Sequence, residues 1–288
     1  MAETLIKNVS DTAFLVAAFR AIETENPHGL FRDPLAWRLA GEHGKKMAEK
    51  AHGSLFGGWV IVIRTVIIDD FIMAALEQGV DTVLNLGAGL DTRPYRMQLP
   101  ESLPWIEVDY PHVVELKESK LAGEKPRCKL ERVKMDLADV GARRKLFAEL
   151  NSKAKKVLVL TEGVVPYLSN EEAGGLADDL NSCANFRYWI TDYLSPAGVR
   201  FRQKKARVRQ MQNAPLKFNP EDWFAFFAGH GWKSTKVRYL ADEARHLKRP
   251  LPLPRTVRLW MKVKRLFTLP KNRVAFQKSA AYVLLEPG

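Results

Sequence analysis

An α/β domain with a doubly wound, mostly parallel sheet is the fold class that the sequence predicts, on three observations. Short apolar runs with strand character alternate with helical stretches from residue 82 to residue 239, and a basic excursion over 240–278 precedes the last run. The first run ends in a glycine turn, Gly87-Ala-Gly89, and acidic residues recur just past the ends of later runs. Alternation at this pitch buries a parallel sheet between helical layers.

The elements follow in order. Residues 10–25 carry Phe14, Leu15, Ala18 and Ile22 near helical spacing, with Ser10 or Asp11 available as a cap. Asp33-Pro34 reads as a second helix start, an acidic cap before proline. Residues 58–78 form a longer helical pattern, and Gly79 suits its C-terminal end. A helical cap over residues 1–80 thus precedes a catalytic domain over 81–288. The expected strands are Thr82–Leu86, Trp105–Val108, Leu130–Met135, Val157–Leu160, Tyr188–Thr191, Lys233–Tyr239 and Ala280–Leu285. Helices are expected over 112–122, 139–151, 170–183 and 219–229. Basic insertions or lids fall near 196–218 and 240–278, the second holding Pro250, Pro252, Pro254 and Pro270.

Composition narrows the class of function. With 288 residues, 46% apolar and 27% charged, the chain is of ordinary globular type. Cys128 and Cys183 lie far apart, which suits a reducing cytosol, and the six histidines show no metal-ligand spacing. The stretch Trp59–Ile68 is interrupted by Arg64 and is too short to span a bilayer, so a cytoplasmic protein is expected. The net charge of +12 is uneven: Arg200, Arg202, Lys204, Lys205, Arg207 and Arg209 form one basic run, and Arg258–Phe267 mixes basic, aromatic and aliphatic residues. Such a field favours an anionic acceptor, although a solvated helix face explains the first run as well. The second could lie on an anionic membrane, but packing on its own domain is the preferred reading. Nucleic acid is not an expected partner, for no recognised module is present.

In a doubly wound sheet the ligand lies beyond the carboxyl ends of the strands. Four groups sit there. Gly87, Ala88 and Gly89 allow a tight turn and close backbone approach. Thr92 stands where a dinucleotide fingerprint wants a third glycine, so a ligand without a pyrophosphate fits better than NAD. Asp109 can accept from both hydroxyls of a ribose, or cap the helix that follows. Asp136, followed by Leu137, can serve an adenine or act as a cap. Glu162 ends an apolar strand, where an acid needs a cation or donors, either an internal ion pair or the ammonium and sulfonium of S-adenosylmethionine.

Asn85–Tyr95, Glu107–Pro111 and Thr161–Leu168, with Val9–Ala13, Leu30–Pro34 and Arg64 before Asp69-Asp70-Phe71, resemble the leucine carboxyl methyltransferase superfamily over residues 8–170. Its bacterial members include O-methyltransferases of polyketide biosynthesis. The resemblance implies a class I methyltransferase fold of seven strands, the last antiparallel. It also implies that Arg64 holds the methionine carboxylate, Gly87 lets that moiety approach, Asp109 binds ribose, Asp136 and Leu137 bind adenine, and Glu162 meets the amino-acid end. Protein-methylating members carry a lysine in the N-terminal helix where this chain has Ala17, with Arg20 nearby.

The expected reaction is methyl transfer from S-adenosylmethionine to a hydroxyl or carboxyl of a small acceptor. Tyr167, Asp192 and Tyr193 are the residues near strand ends that could act as a base, with His112 and His230 as further choices. The competing readings are an NAD-type oxidoreductase and a non-catalytic module binding membrane or nucleic acid through its basic tail.

Overall fold

The computed structural model describes residues 11–50, 55–200, 215–251, 256 and 277–288. Val9, Ser10, Arg202 to Arg209 and Arg258 to Phe267, singled out above, lie outside the described residues. Helices α1 (Asp11–Glu25), α2 (Ala36–Lys50) and α3 (Leu55–Glu77) come first. Then follow β1 (Thr82–Leu86), α4 (Arg93–Arg96), β2 (Pro104–Asp109), α5 (Pro111–Lys120) and β3 (Lys129–Lys134). Next are α6 (Val140–Lys153), β4 (Val157–Thr161), a 3₁₀ turn (Val165–Tyr167), α7 (Asn170–Asn181) and β5 (Phe186–Leu194). The chain closes with α8 (Trp223–Gly229), β6 (Trp232–Tyr239), α9 (Leu240–His246) and β7 (Ala280–Pro287).

The seven strands form one sheet in the order β3-β2-β1-β4-β5-β7-β6. All neighbours from β3 to β5 run parallel, and β7 is antiparallel to both β5 and β6. Every residue of β1 and β4 is buried, as expected of central parallel strands covered on both faces. On one face Leu84, Val159, Trp189 and Val283 pack against Phe147 of α6, Leu176 of α7 and Phe227 of α8. On the other face Val83, Leu158, Leu160 and Ile190 meet Ile63, Ile67, Ile68 and Phe71 of α3. Helix α3 is apolar on nearly every side, the pattern of a buried helix, and Arg64, Asp69 and Asp70 interrupt it. Helices α1 and α2 pack on each other through Ala17, Ala18, Leu39 and Ala40, with Leu90 and Leu121 beneath them.

Gly79 ends α3 at φ +84°, as its sequence position predicts. Asp33 departs from its expected role as a cap. Helix α2 starts at Ala36, and the Asp33 carboxylate instead accepts from Arg20 Nε at 2.8 Å and Thr92 Oγ1 at 2.6 Å. The basic 240–278 stretch begins with a short helix, α9, that the sequence did not announce. No helix among the described residues is long and apolar enough to cross a membrane.

Candidate active site at the carboxyl edge of the sheet

The sheet brings its glycine turn and three predicted acids, Asp109, Asp136 and Glu162, to one edge. Gly87 and Gly89 adopt φ +67° and +49°, the left-handed region that glycine enters freely. A Cβ on Gly87 would stand 2.5 Å from Val164 Cγ2, so the turn closes against the segment after β4 only because the side chain is missing. Gly87 N and Ala88 N both donate to Val108 O, which binds the turn to β2.

Asp109 lies at the end of β2. Its Oδ2 accepts from Gly89 N at 2.6 Å and its Oδ1 from Tyr110 N at 2.7 Å. Helix α5 has no side-chain cap, so the capping alternative for Asp109 does not apply. Burial raises the Asp109 carboxyl against the lowering effect of those two amide bonds. Glu107, two residues earlier, is a structural acid instead: it is fully buried between Lys117 at 2.8 Å and Arg132 at 3.0 Å. Asp136 Oδ1 accepts from Ala138 N at 2.9 Å, burial and the Asp136 charge raise the nearby Tyr110 hydroxyl, and α6 is capped by Asp139. Leu137 is fixed by its carbonyl, which accepts from Arg143 Nη1 at 2.8 Å.

Glu162 sits between two guanidinium groups. Arg64 Nε of α3 is 2.8 Å from Oε1, and Arg93 Nη1 of α4 is 2.7 Å from Oε2. Burial works to raise Glu162, but the charges of Arg64 and Arg93 outweigh it and hold the group below the usual carboxylate range. Arg93 is the hub: it also bonds Asp91 and Asp69, and Asp69 in turn holds Arg96. Arg64 and Glu162 each keep 14% of their side-chain surface exposed, whereas Arg93 keeps 3%. The Arg64–Glu162 contact is an ion pair without an aligned hydrogen bond, since Arg64 Nε is buried with no partner in that sense.

Of the base candidates, Asp192 joins this charged group. Its Oδ2 accepts from Gly163 N at 2.8 Å and its Oδ1 from the Tyr282 hydroxyl at 2.8 Å. Burial pushes Asp192 up, offset in part by Tyr282 and Arg64. Tyr193 points to the opposite face, as alternation along a strand requires. There it meets Trp223, Phe224 and Tyr239 with ring centroids 5.5, 5.2 and 6.1 Å away. Tyr167 ends the 3₁₀ turn after β4. His230 lies apart, paired with Asp178 at the end of α7, and His112 stacks on Tyr110.

Sequence reasoning missed Arg93, Asp91, Asp69 and Tyr282 as members of the site. The first three stand inside the segments that carried the family resemblance, whereas Tyr282 sits in an apolar strand without any local signal. Thr92 is fully buried and donates to Asp33, so the third-glycine position of a dinucleotide turn here anchors the helical layer, as does Arg20 Nη2 donating to Leu90 O.

This strand order, with a glycine turn and acids along its carboxyl edge, defines the class of S-adenosyl-L-methionine-dependent methyltransferases. A family profile described as leucine carboxyl methyltransferase matches residues 13–181, and the chain belongs to that family. It is 32% identical over 269 residues to a protein of Parafrankia sp. (strain EAN1pec) named as an inferred S-adenosyl-L-methionine-dependent methyltransferase, covering 85% of this chain and 83% of the relative. A relative of the same description in Streptomyces avermitilis is 32% identical over 260 residues, covering 84% and 89%. Among solved structures, an inferred methyltransferase from Thermobifida fusca YX superposes with a TM-score of 0.60 at 15% identity, over 99% of this chain and 96% of that one. That likeness concerns the fold.

Proposed function

We propose that this protein transfers the methyl group of S-adenosyl-L-methionine to a hydroxyl or carboxyl oxygen of a small acceptor, aromatic or polyketide-like in character. The observation that carries the reading is the pairing of Arg64 with Glu162, both reachable from outside, on the same edge as Asp109. An α-amino acid end presents a carboxylate and an ammonium, and this pair offers a guanidinium and a carboxylate in return. In this reading Arg64 and Glu162 hold that end, and Gly87, Ala88 and Gly89 give it room along the backbone. Asp109 binds the ribose: each of its oxygens already accepts one amide and retains capacity for a hydroxyl. Asp136 and Leu137 serve the adenine.

When bound, the cofactor supplies an electrophilic methyl on a sulfonium whose leaving group departs neutral, so no acid is required. The protein's part is alignment, worth up to about 7–11 kcal/mol in well-oriented reactions. A carboxylic acceptor, ionised above a pKa of about 4, needs only that. The site suits positioning: Asp69, Asp91, Glu162 and Asp192 are each held by guanidinium, hydroxyl or amide donors. We therefore assign Asp192 to holding the loop after β4 rather than to accepting a proton from the acceptor. On the opposite face, Tyr193, Phe224 and Tyr239 are half-buried, and Lys278 Nζ lies 5.7 Å from the Tyr239 ring, which favours an aromatic acceptor carrying negative charge.

The test is transfer of labelled methyl from S-adenosylmethionine to a panel of phenols and aromatic and aliphatic carboxylic acids. Turnover of acids or phenols is expected. Labelling of a nitrogen or carbon nucleophile alone would contradict the oxygen assignment.

A further inference from the structure

Tyr282 belongs to the last strand, outside residues 13–181 that match the family profile, yet it starts a chain of contacts along the cofactor edge. Arg64 pairs with Glu162 at 2.8 Å, and Glu162 is followed by Gly163, whose N–H donates to Asp192 Oδ2 at 2.8 Å. The Tyr282 hydroxyl donates to Asp192 Oδ1 at 2.8 Å, and the charge of Arg64 acts on both groups. The contacts therefore run in a chain from Tyr282 through Asp192, Gly163 and Glu162 to Arg64.

A latch between strands does not explain it. Asp192 and Tyr282 are already directly opposite in the β5–β7 ladder, held by backbone pairing. A buried carboxylate and phenol at that place are costly, and an apolar pair would hold two strands as well. The contacts that reach beyond the ladder are the informative ones. The β4–β5 register ends at Thr161 opposite Thr191, so the bond from Gly163 fixes the first residues past it. Through Glu162, next to Gly163, the same chain reaches Arg64, a long arginine projecting from α3.

We propose that Tyr282, acting with Asp192, is a positioning residue that holds Arg64 and Glu162 at the spacing of an α-amino acid, so that the last strand sets affinity for the amino-acid end of the cofactor. This rests on the methyltransferase reading above. A hydrogen bond to a charged group contributes enough that losing one from a preset site costs about tenfold in affinity.

Tyr282→Phe removes the hydroxyl and keeps the ring. Its binding is measured by calorimetry with S-adenosylhomocysteine and with 5′-methylthioadenosine, which shares the nucleoside and sulfur but lacks the amino-acid end. Affinity for S-adenosylhomocysteine is expected to fall about tenfold while that for methylthioadenosine holds within about twofold. Equal loss for both ligands, the mark of a loosened structure, overturns the proposal, and so does no loss for either. Asp192→Asn reads the same chain of contacts through its next member, with the same selective loss expected, should Tyr282→Phe not fold. If the unaltered protein binds neither ligand, it is the methyltransferase reading that fails.

Discussion

Two rows of the sheet, one residue apart, meet the same edge with opposite chemistry. Asp192, Tyr282 and Arg238 lie side by side across β5, β7 and β6 and face the layer of α3. Tyr193, Ala281 and Tyr239 form the next row and face α8. The first row is tied into a buried charge network of Arg64, Arg93, Glu162, Asp91 and Asp69. The second is part of an aromatic group in which Trp223 Nε1 is buried without an acceptor among the described residues. Period-two alternation of strands is enough to separate a charge-reading side from a ring-reading side within one residue. In the proposed function, the first side takes the ends of the cofactor and the second faces the acceptor.

The comparison breaks most visibly at the two hubs. Arg93→Met would leave Asp69, Asp91 and Glu162 without their shared cation, and stranding buried charge costs about 3–5 kcal/mol. Phe227→Ala, which empties a fully buried site on the other side, is expected to cost about as much for a different reason, a cavity of about 3–5 kcal/mol. Urea unfolding measures both, and pH tells them apart. Burial works to raise Asp91, but Arg93, Lys117, Arg20 and Arg96 outweigh it and hold the carboxyl far below its usual range. Its contribution is therefore complete above the unfolded value of about 4 and fades as the pH drops below it. The cost of Asp91→Asn should accordingly shrink as unfolding is measured at successively lower pH under about 4, whereas that of Phe227→Ala should stay level.

The aromatic side gives a smaller and more selective effect. Tyr193→Ala is expected to raise the acceptor KM about tenfold, on the order of 1.4 kcal/mol, and to leave the S-adenosylhomocysteine Kd within about twofold. Steady-state kinetics with the best acceptor and a parallel ligand titration check it. A change in cofactor affinity of the same size would show that the two rows are not separate in function.

The charged edge was only partly legible in the sequence. Strands such as β1 and β4 announce themselves because both faces are buried and the run is mostly apolar. Element ends depend on local chemistry: α8 starts at Trp223 rather than 219 because Asp222 takes the amides of Phe224 and Ala225. Acids past strand ends could be found by position, but position alone could not say which acid is free to serve a ligand. Glu107 and Asp109 look equivalent in sequence, yet the first is consumed by Lys117 and Arg132. Partnerships across long separations left no pattern to read. Arg20 with Asp33 and Thr92, Arg93 with Glu162, and Tyr282 with Asp192 exist only once the fold has formed.

Asp109 tests the central claim most directly, because its carboxylate is held by the backbone amides of Gly89 and Tyr110 and forms no ion pair among the described residues. Calorimetric titration with S-adenosylhomocysteine, on the unaltered protein and on Asp109→Ala with its melting temperature checked, is the decisive measurement. Binding by the unaltered protein, weakened at least about tenfold in a variant that melts within a few degrees of it, is the predicted result. No binding at all, or equal binding by both proteins, would contradict the assignment of this edge to the cofactor.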